Sequence, residues 1–236
     1  MRVAAFQRAP TTHSAGAVGA LLDDLAWADA HAVDLALFPE CHLVGHAYDR
    51  PTIAARASRL DGDFIAALLG RVGRVRATAV VSLFEARSDG VFNTAIVIAQ
   101  GRIVGGYSKA HPNEEGVTPG KAFPVFEGEL PFGINICNDA NHPAAAYCLA
   151  QAGARLICYP LCNIMRPEVA EVWRTRSVEN LRRRALETGC WVVSADVAGR
   201  QGARLSYGCT MIVRPDGEIV ERASEMVEAV ILHDLR

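Results

Sequence analysis

Short runs of apolar, often β-branched residues recur along the chain, each followed by a turn or by a stretch with helical spacing. "RVAAFQ" (2–7), "DLALFP" (34–39), "ATAVVSLF" (77–84), "NTAIVIA" (93–99) and "RIVGGYS" (102–108) read as strands. So do "FGINIC" (132–137), "ARLICYP" (154–160), "CWVVSAD" (190–196) and "YGCTMIV" (207–213). Many are apolar at successive rather than alternate positions, the pattern of strands covered on both faces. Helical spacing fills the gaps at 16–32, 62–72, 143–153 and 167–189. Pro143 and Pro167 suit a first helical turn, where the missing N–H has no partner to lose, and Gly153 and Gly189 suit the stops. "QGR" (100–102) and "PDG" (215–217) are hairpin-turn signals. The pattern predicts a mixed α/β layered fold with strands in the centre and helices outside.

No repeat, low-complexity tract or linker divides the 236 residues, so one domain over 1–236 is expected. A net charge of −2, with both signs spread along the chain, argues against a nucleic-acid partner. The one basic stretch, "GRVGRVRA" (70–77), reads as a solvated helix end, and it lacks the Lys-Ser/Thr of a phosphate loop. The opening "MRVAAFQRAPTTH" lacks the long apolar segment of a signal peptide, and "ATAVVSLF" is far too short to span a bilayer. Seven cysteines, an odd number without regular spacing, do not describe a disulfide framework. A cytoplasmic protein without a membrane partner is expected.

Three strand ends carry groups that chemistry can use. "DLALFPECHLVGHAY" (34–48) places Glu40 just past an apolar strand, where partial desolvation raises a carboxylate toward general-base range. "RIVGGYSKAHPNEEGVTPG" (102–120) places Lys109 after a strand, ahead of Glu114 and Glu115. "PFGINICNDANHP" (131–143) ends a strand on Cys137, facing a helix N-terminus that favours thiolate. Taken singly, each has a plain structural alternative: a solvated turn acid, a solvated loop lysine, a small buried thiol. Together they supply a base, an oxyanion stabiliser and a nucleophile, the set that acyl transfer needs.

The order Glu40 in "FPE", Lys109 in "YSKAH" and Cys137 in "ICND" resembles the nitrilase superfamily of carbon–nitrogen hydrolases. "RVAAFQ", "NTAIVI", "TPG", "AGARLICYP", "RRRALETGCWVVSADVAG" and "YGCTMIVRPDGEIV" are similar to its flanking strings, so the resemblance covers nearly the whole chain. It implies a four-layer α-β-β-α sandwich and hydrolysis of a small amide or carbamoyl compound through a Cys137 thioester, without metal or organic cofactor. Glu40 would be the base, and Lys109 with the backbone N–H of Asn138 the oxyanion site. A second glutamate would orient substrate and lysine; Glu114 fits best and Glu115 stays open. A homodimer or larger assembly is implied as well. The chain departs from the family's pattern after the cysteine, where "ANHPAAAY" replaces an aromatic–Pro–Glu and an arginine, and "CND" argues against a nitrile substrate; these departures leave open a catalytically silent member that binds a ligand or a partner protein.

Other residues near these motifs are candidates for the pocket wall. His111 and His142 can shape it, and Asn138, Asn163 and Met165 can line it. Arg166, at a helix start, suits a substrate carboxylate or a solvated surface. His42 and His46 predict no shared metal-binding face, and Cys158 and Cys162 lack a matching second pair. Cys41 takes no role.

Overall fold

Because successive side chains of a strand point to opposite faces, a run that is apolar throughout must be covered twice. The computed structural model describes residues 1–11, 14–73 and 75–236, so Thr12 and His13 of the opening stretch and Arg74 of the basic one lie outside it. Its strands are β1 (Arg2–Gln7), β2 (Leu35–Leu37), β3 (Thr78–Arg87), β4 (Gly90–Ala99), β5 (Arg102–Ser108), β6 (Val125–Phe126) and β7 (Phe132–Ile134). They continue with β8 (Leu156–Pro160), β9 (Trp191–Ala195), β10 (Gly199–Gln201), β11 (Arg204–Ser206), β12 (Met211–Val213), β13 (Ile219–Arg222) and β14 (Ala229–Asp234). The helices are α1 (Ser14–Ala30), α2 (Arg50–Arg56), α3 (Asp63–Val72), α4 (Pro143–Gln151) and α5 (Pro167–Thr188).

Two six-stranded sheets form, in the orders β14-β1-β2-β3-β4-β5 and β13-β12-β9-β8-β7-β6, with β10 and β11 a separate hairpin. Alternation decides what each sheet touches. Val3, Ala5, Leu35, Leu37 and Val80 of the first sheet meet Phe132, Ile134, Leu156, Val193 and Ile212 of the second. Their chain neighbours Ala4, Phe6, Ala36 and Val81 turn the other way, onto Leu21 and Leu25 of α1 and Ile65 and Leu68 of α3. Ile157, Tyr159, Val192 and Met211 likewise cover Leu149 of α4 and Leu181 and Ala185 of α5. The layers are therefore α-β-β-α, as the resemblance implied.

Within the sheets, β1, β2 and β3 are parallel, as are β7, β8 and β9. The carboxyl ends of β2, β7, β8 and β9 deliver Glu40, Cys137, Asn163 and Asp196 to the loops. Since β5 is antiparallel to β4, and β4 to β3, β5 runs with β2 and brings Lys109 to the same end.

The turn between β4 and β5 has Gln100 at φ 50° and Gly101 at φ 71°, the doubly left-handed turn that matches strand twist. Two sequence readings shift. The strand expected at 132–137 ends at Ile134, and Cys137 instead opens a 3-10 turn, Cys137–Asn141. Of the strand expected at 207–213, only Met211–Val213 pairs. Short or half-exposed strands such as β10 and β13 carry no apolar run and escaped the pattern. All seven cysteines are free, and among the described residues no helix is long and apolar enough to cross a membrane.

Leu37 is fully buried between the sheets, so Leu37→Ala should cost about 2–5 kcal/mol through lost burial and a residual cavity. Urea denaturation measures this; a loss under about 1 kcal/mol would mean that the layer collapses around the gap.

Candidate active site

Lys109 is fully buried, and a buried ammonium needs compensating charge. Its Nζ donates at 2.8 Å to Oε1 of Glu40 and at 2.8 Å to Oε1 of Glu114. The same two oxygens each accept a 2.8 Å hydrogen bond from Nδ2 of Asn93 on β4. His46 Nε2 lies 3.1 Å from Glu114 Oε1, whose partner oxygen accepts from the backbone N–H of Asn113. Burial works against the charged form of Lys109, but Glu40, Cys137 and Glu114 outweigh it and hold the ammonium protonated far above its ordinary range. Burial also opposes charge on Glu114, yet the His46 hydrogen bond and Lys109 keep it well below the usual carboxylate range. Glu115 is exposed and 4.0 Å from Arg50, so Glu114 is the carboxylate beside the lysine. Both oxygens of Glu114 accept hydrogen bonds; Glu40 Oε2 is buried with no hydrogen-bond partner among the described residues.

The backbone holds this cluster in place. The Lys109 amide donates to the Asn93 carbonyl, and its own carbonyl accepts from Gly120. A Cβ on Gly120 would come within 2.1 Å of the Ser108 carbonyl oxygen, so only glycine permits that approach.

Cys137 is half-buried, with φ at 42°, a left-handed conformation that costs a non-glycine residue energy and must be imposed by its surroundings. Asp139 imposes it. Its fully buried carboxylate accepts from the Tyr107 hydroxyl at 2.7 Å, from the Ile136 amide at 2.9 Å and from the His111 amide at 2.8 Å. Arg184 of α5 donates at 3.0 Å to the Ala140 carbonyl, so an arginine does support this turn, from a helix farther along the chain. The thiol differs from the sequence reading. Burial raises its pKa well above the ordinary range, Glu40 adds to the rise, and Lys109 opposes it. The lysine's charge is already shared by two carboxylates, so the resting group is a thiol that needs a base.

Glu40, Lys109, Cys137, Asn138 and Asn163 all line one cavity of about 300 Å³; Glu114 sits behind Lys109 and His46. His111 and His142 are not in its wall. Their rings stack at 3.8 Å, and Nδ1 of His111 lies 3.0 Å from Asp139, so they brace the turn from outside. Asn163 is oriented by Asp196, which accepts from both its backbone N–H and its Nδ2, leaving its Oδ1 free to accept. His46 lines the cavity and bonds Glu114, the pocket-wall role that its sequence position allows; Asn93 escaped the sequence pattern, its one signal being a lone amide in the apolar β4. Glu40, His46 and Glu114 present ligand atoms within 4.8 Å of one another, but the Lys109 ammonium already bonds both carboxylates, and its repulsion disfavours a metal ion there.

Burial raises Asp196 to about 7, against the opposing Asn163 hydrogen bonds. The folded state thus keeps a proton that the unfolded chain releases, so this group's contribution to stability falls as pH rises from about 4 through 7. Buried His42, lowered to about 4, acts with the opposite sign, so the group must be isolated by difference. Wild type should lose stability relative to Asp196→Asn between pH 4.5 and 7.5, as measured by urea denaturation; a flat difference would place the carboxyl in a solvated setting.

Known proteins share this arrangement of sequence and fold. The chain is 33% identical over 153 residues to deaminated glutathione amidase of Homo sapiens, covering 57% of this chain and 45% of that protein, so that match spans less than half of the relative. It is 30% identical over 247 residues to a protein of Pseudomonas protegens named hydrolase in pqqF 5'region, covering 100% of this chain and 82% of the other. A glutamate-to-glutamine mutant of the amidase from Nesterenkonia sp. AN1, showing Michael addition of acrylamide at its active-site cysteine, superposes with a TM-score of 0.86 at 22% identity, covering 100% and 93% of the two chains. The family model described as carbon-nitrogen hydrolase matches residues 2–236. The chain belongs to the carbon–nitrogen hydrolase family.

Proposed function

We propose that this protein hydrolyses the C–N bond of a small amide through a thioester on Cys137, with Glu40 as base and Lys109 as oxyanion stabiliser. The carrying observation is the orphaned Glu40 Oε2 in the same cavity as a thiol that burial keeps protonated. Such a thiol attacks only if its proton leaves as the C–S bond forms, and Glu40 is the acceptor at hand.

The charge bookkeeping is favourable. As Sγ adds to the amide carbon, the negative charge on Glu40 is replaced by one on the substrate oxygen, and the cluster's net charge is unchanged. Lys109, released from neutralised Glu40, turns its hydrogen bond toward that oxyanion, assisted by the backbone N–H of Asn138. Glu114 stays ionised and keeps the ammonium in place. When the C–N bond breaks, the leaving nitrogen takes the proton back from Glu40 and departs as ammonia or an amine. Water then gives a proton to Glu40 and its hydroxide to the thioester carbon; the C–S bond breaks, and the acid and the free thiol are restored. The Oδ1 of Asn163 faces an N–H of the bound amide.

The names of the relatives support the amide class: both the human relative and the protein from Nesterenkonia sp. AN1 are named amidases. A ureido substrate would use the same steps, releasing ammonia, carbon dioxide and the parent amine. The protein is further proposed to assemble as a homodimer or larger oligomer.

Cys137→Ala should abolish ammonia release from amides, ureido acids and nitriles screened in parallel, without change in Tm. Residual turnover would remove Cys137 as nucleophile. Lys109→Ala should lower kcat by about 10²–10³, the loss expected for an oxyanion donor. A change in KM alone would instead assign the lysine to substrate binding. Acrylamide should add to Cys137 of the wild type, read by mass spectrometry, and competing substrate should slow it.

A further inference from the structure

Glu40 and His46 each border two cavities: the one that holds the thiol, and an adjoining one of about 10 Å³. Neither Cys137 nor Lys109 reaches the smaller cavity, so it lies on the far side of Glu40. His42 borders it as well. Among the described residues, five buried side-chain nitrogen and oxygen atoms have no hydrogen-bond partner. Three of the five belong to these residues: Glu40 Oε2, His42 Nε2 and His46 Nδ1. An orphaned polar atom in the interior is costly, and three around one cavity call for an occupant that bonds them.

Chemistry narrows the occupant. The remaining wall makes little claim on it: Cys41 Sγ already bonds Asn93 Oδ1 at 3.6 Å, Thr11 and Gln201 are only half-buried, and Cys162, Ile164 and Val197 form an apolar side. The volume admits one water molecule, and a buried water ordinarily has two to four polar partners. The Glu114 carboxylate only accepts, so His46 Nε2, 3.1 Å from it, carries the ring proton. In the neutral ring Nδ1 is then an acceptor, as is Glu40 Oε2. A cation could serve two acceptors, but the Lys109 ammonium already lies 2.8 Å from the other oxygen of Glu40 and repels it. Water serves both acceptors with its two O–H groups. Its oxygen accepts in turn from His42, whose ring is kept neutral by burial and by Arg8, with its pKa lowered to about 4. With its proton on Nε2, that ring supplies the third bond.

We infer that Glu40, His42 and His46 bind one water molecule behind the base, and that this water keeps Glu40 turned toward the thiol. The inference deepens the reading of Glu40 as base and rests on it. Oε1 of Glu40 is fixed by Lys109 and Asn93, whereas no side chain fixes Oε2. A carboxylate oxygen has two lone-pair positions. With one taken by the water, the other is left to the thiol, so the proton arrives and leaves on the substrate side. When Glu40 is neutralised and Lys109 turns to the oxyanion, the water and Asn93 still hold the carboxyl group. His42 and His46 act through the water and are positioning residues.

His42→Phe keeps a ring to stack on Phe38, as the imidazole does at 5.4 Å, and removes the nitrogens. It should lower kcat for amide hydrolysis about tenfold or more, with little change in KM or Tm. His42→Gln, which restores a donor, should recover part of that loss. A wild-type kcat in His42→Phe, or a loss that appears only in Tm, would overturn the positioning role. A crystal structure of the wild type should show an ordered water within about 3.2 Å of Glu40 Oε2, His42 Nε2 and His46 Nδ1, and His42→Phe should lose it. A dry cavity, or density that fits a metal ion, overturns the site even if amides are hydrolysed. Water bound there in a protein that hydrolyses no amide leaves the site standing, and only the hydrolytic reading fails.

Discussion

A buried ammonium between two carboxylates is the constraint on which the rest of this molecule depends. Glu40 comes from the loop after β2, and Lys109 and Glu114 from the loop after β5; none tolerates burial alone, because an unpaired charge in the interior costs several kcal/mol. Their 2.8 Å contacts repay that cost only while all three are held together, and Asn93 donates to both carboxylates to hold them. The parallel course of β2 and β5 through one sheet makes this meeting possible. Two carboxylates and one ammonium give the cluster one negative charge in excess; in the proposed reaction Glu40 exchanges that charge with a substrate oxygen while Lys109 stays cationic.

The second sheet presents the thiol against this cluster, and it does so under strain. A left-handed Cys137 is stable because Asp139 takes up the surrounding N–H and O–H groups and Arg184 caps the Ala140 carbonyl. The stacked His111 and His142 belong to the same support. Four-layer packing thus has a direct chemical result, since the two halves of the site lie on sheets that pack together through the inner core. Burial raises the thiol's pKa, so the proposed reactivity depends on the placement of Glu40 in the same cavity.

The cavity is built from two kinds of element. The buried end is made of strand ends, where position is rigid. The mouth is made of the β10–β11 hairpin, the Met165–Leu205 bridge and α5, elements whose side chains can change without disturbing the charged cluster. Such a division lets one scaffold keep a single reaction while its substrates vary.

The amino-acid order by itself determined the layered α/β pattern, most strands and helices, and the three strand ends carrying Glu40, Lys109 and Cys137. These are legible because burial on both faces leaves continuous apolar runs, and because a charge after such a run is a local anomaly. Half-exposed strands such as β13 left no comparable trace, since their pairing is fixed by neighbours rather than by composition. Only the tertiary structure chose Glu114 over Glu115, moved His111 and His142 out of the wall, and brought His42 and His46 to one small cavity beside Glu40. It also reversed the expected shift of the Cys137 thiol, because desolvation and pairing are sums over groups remote in the chain, and no local pattern records them.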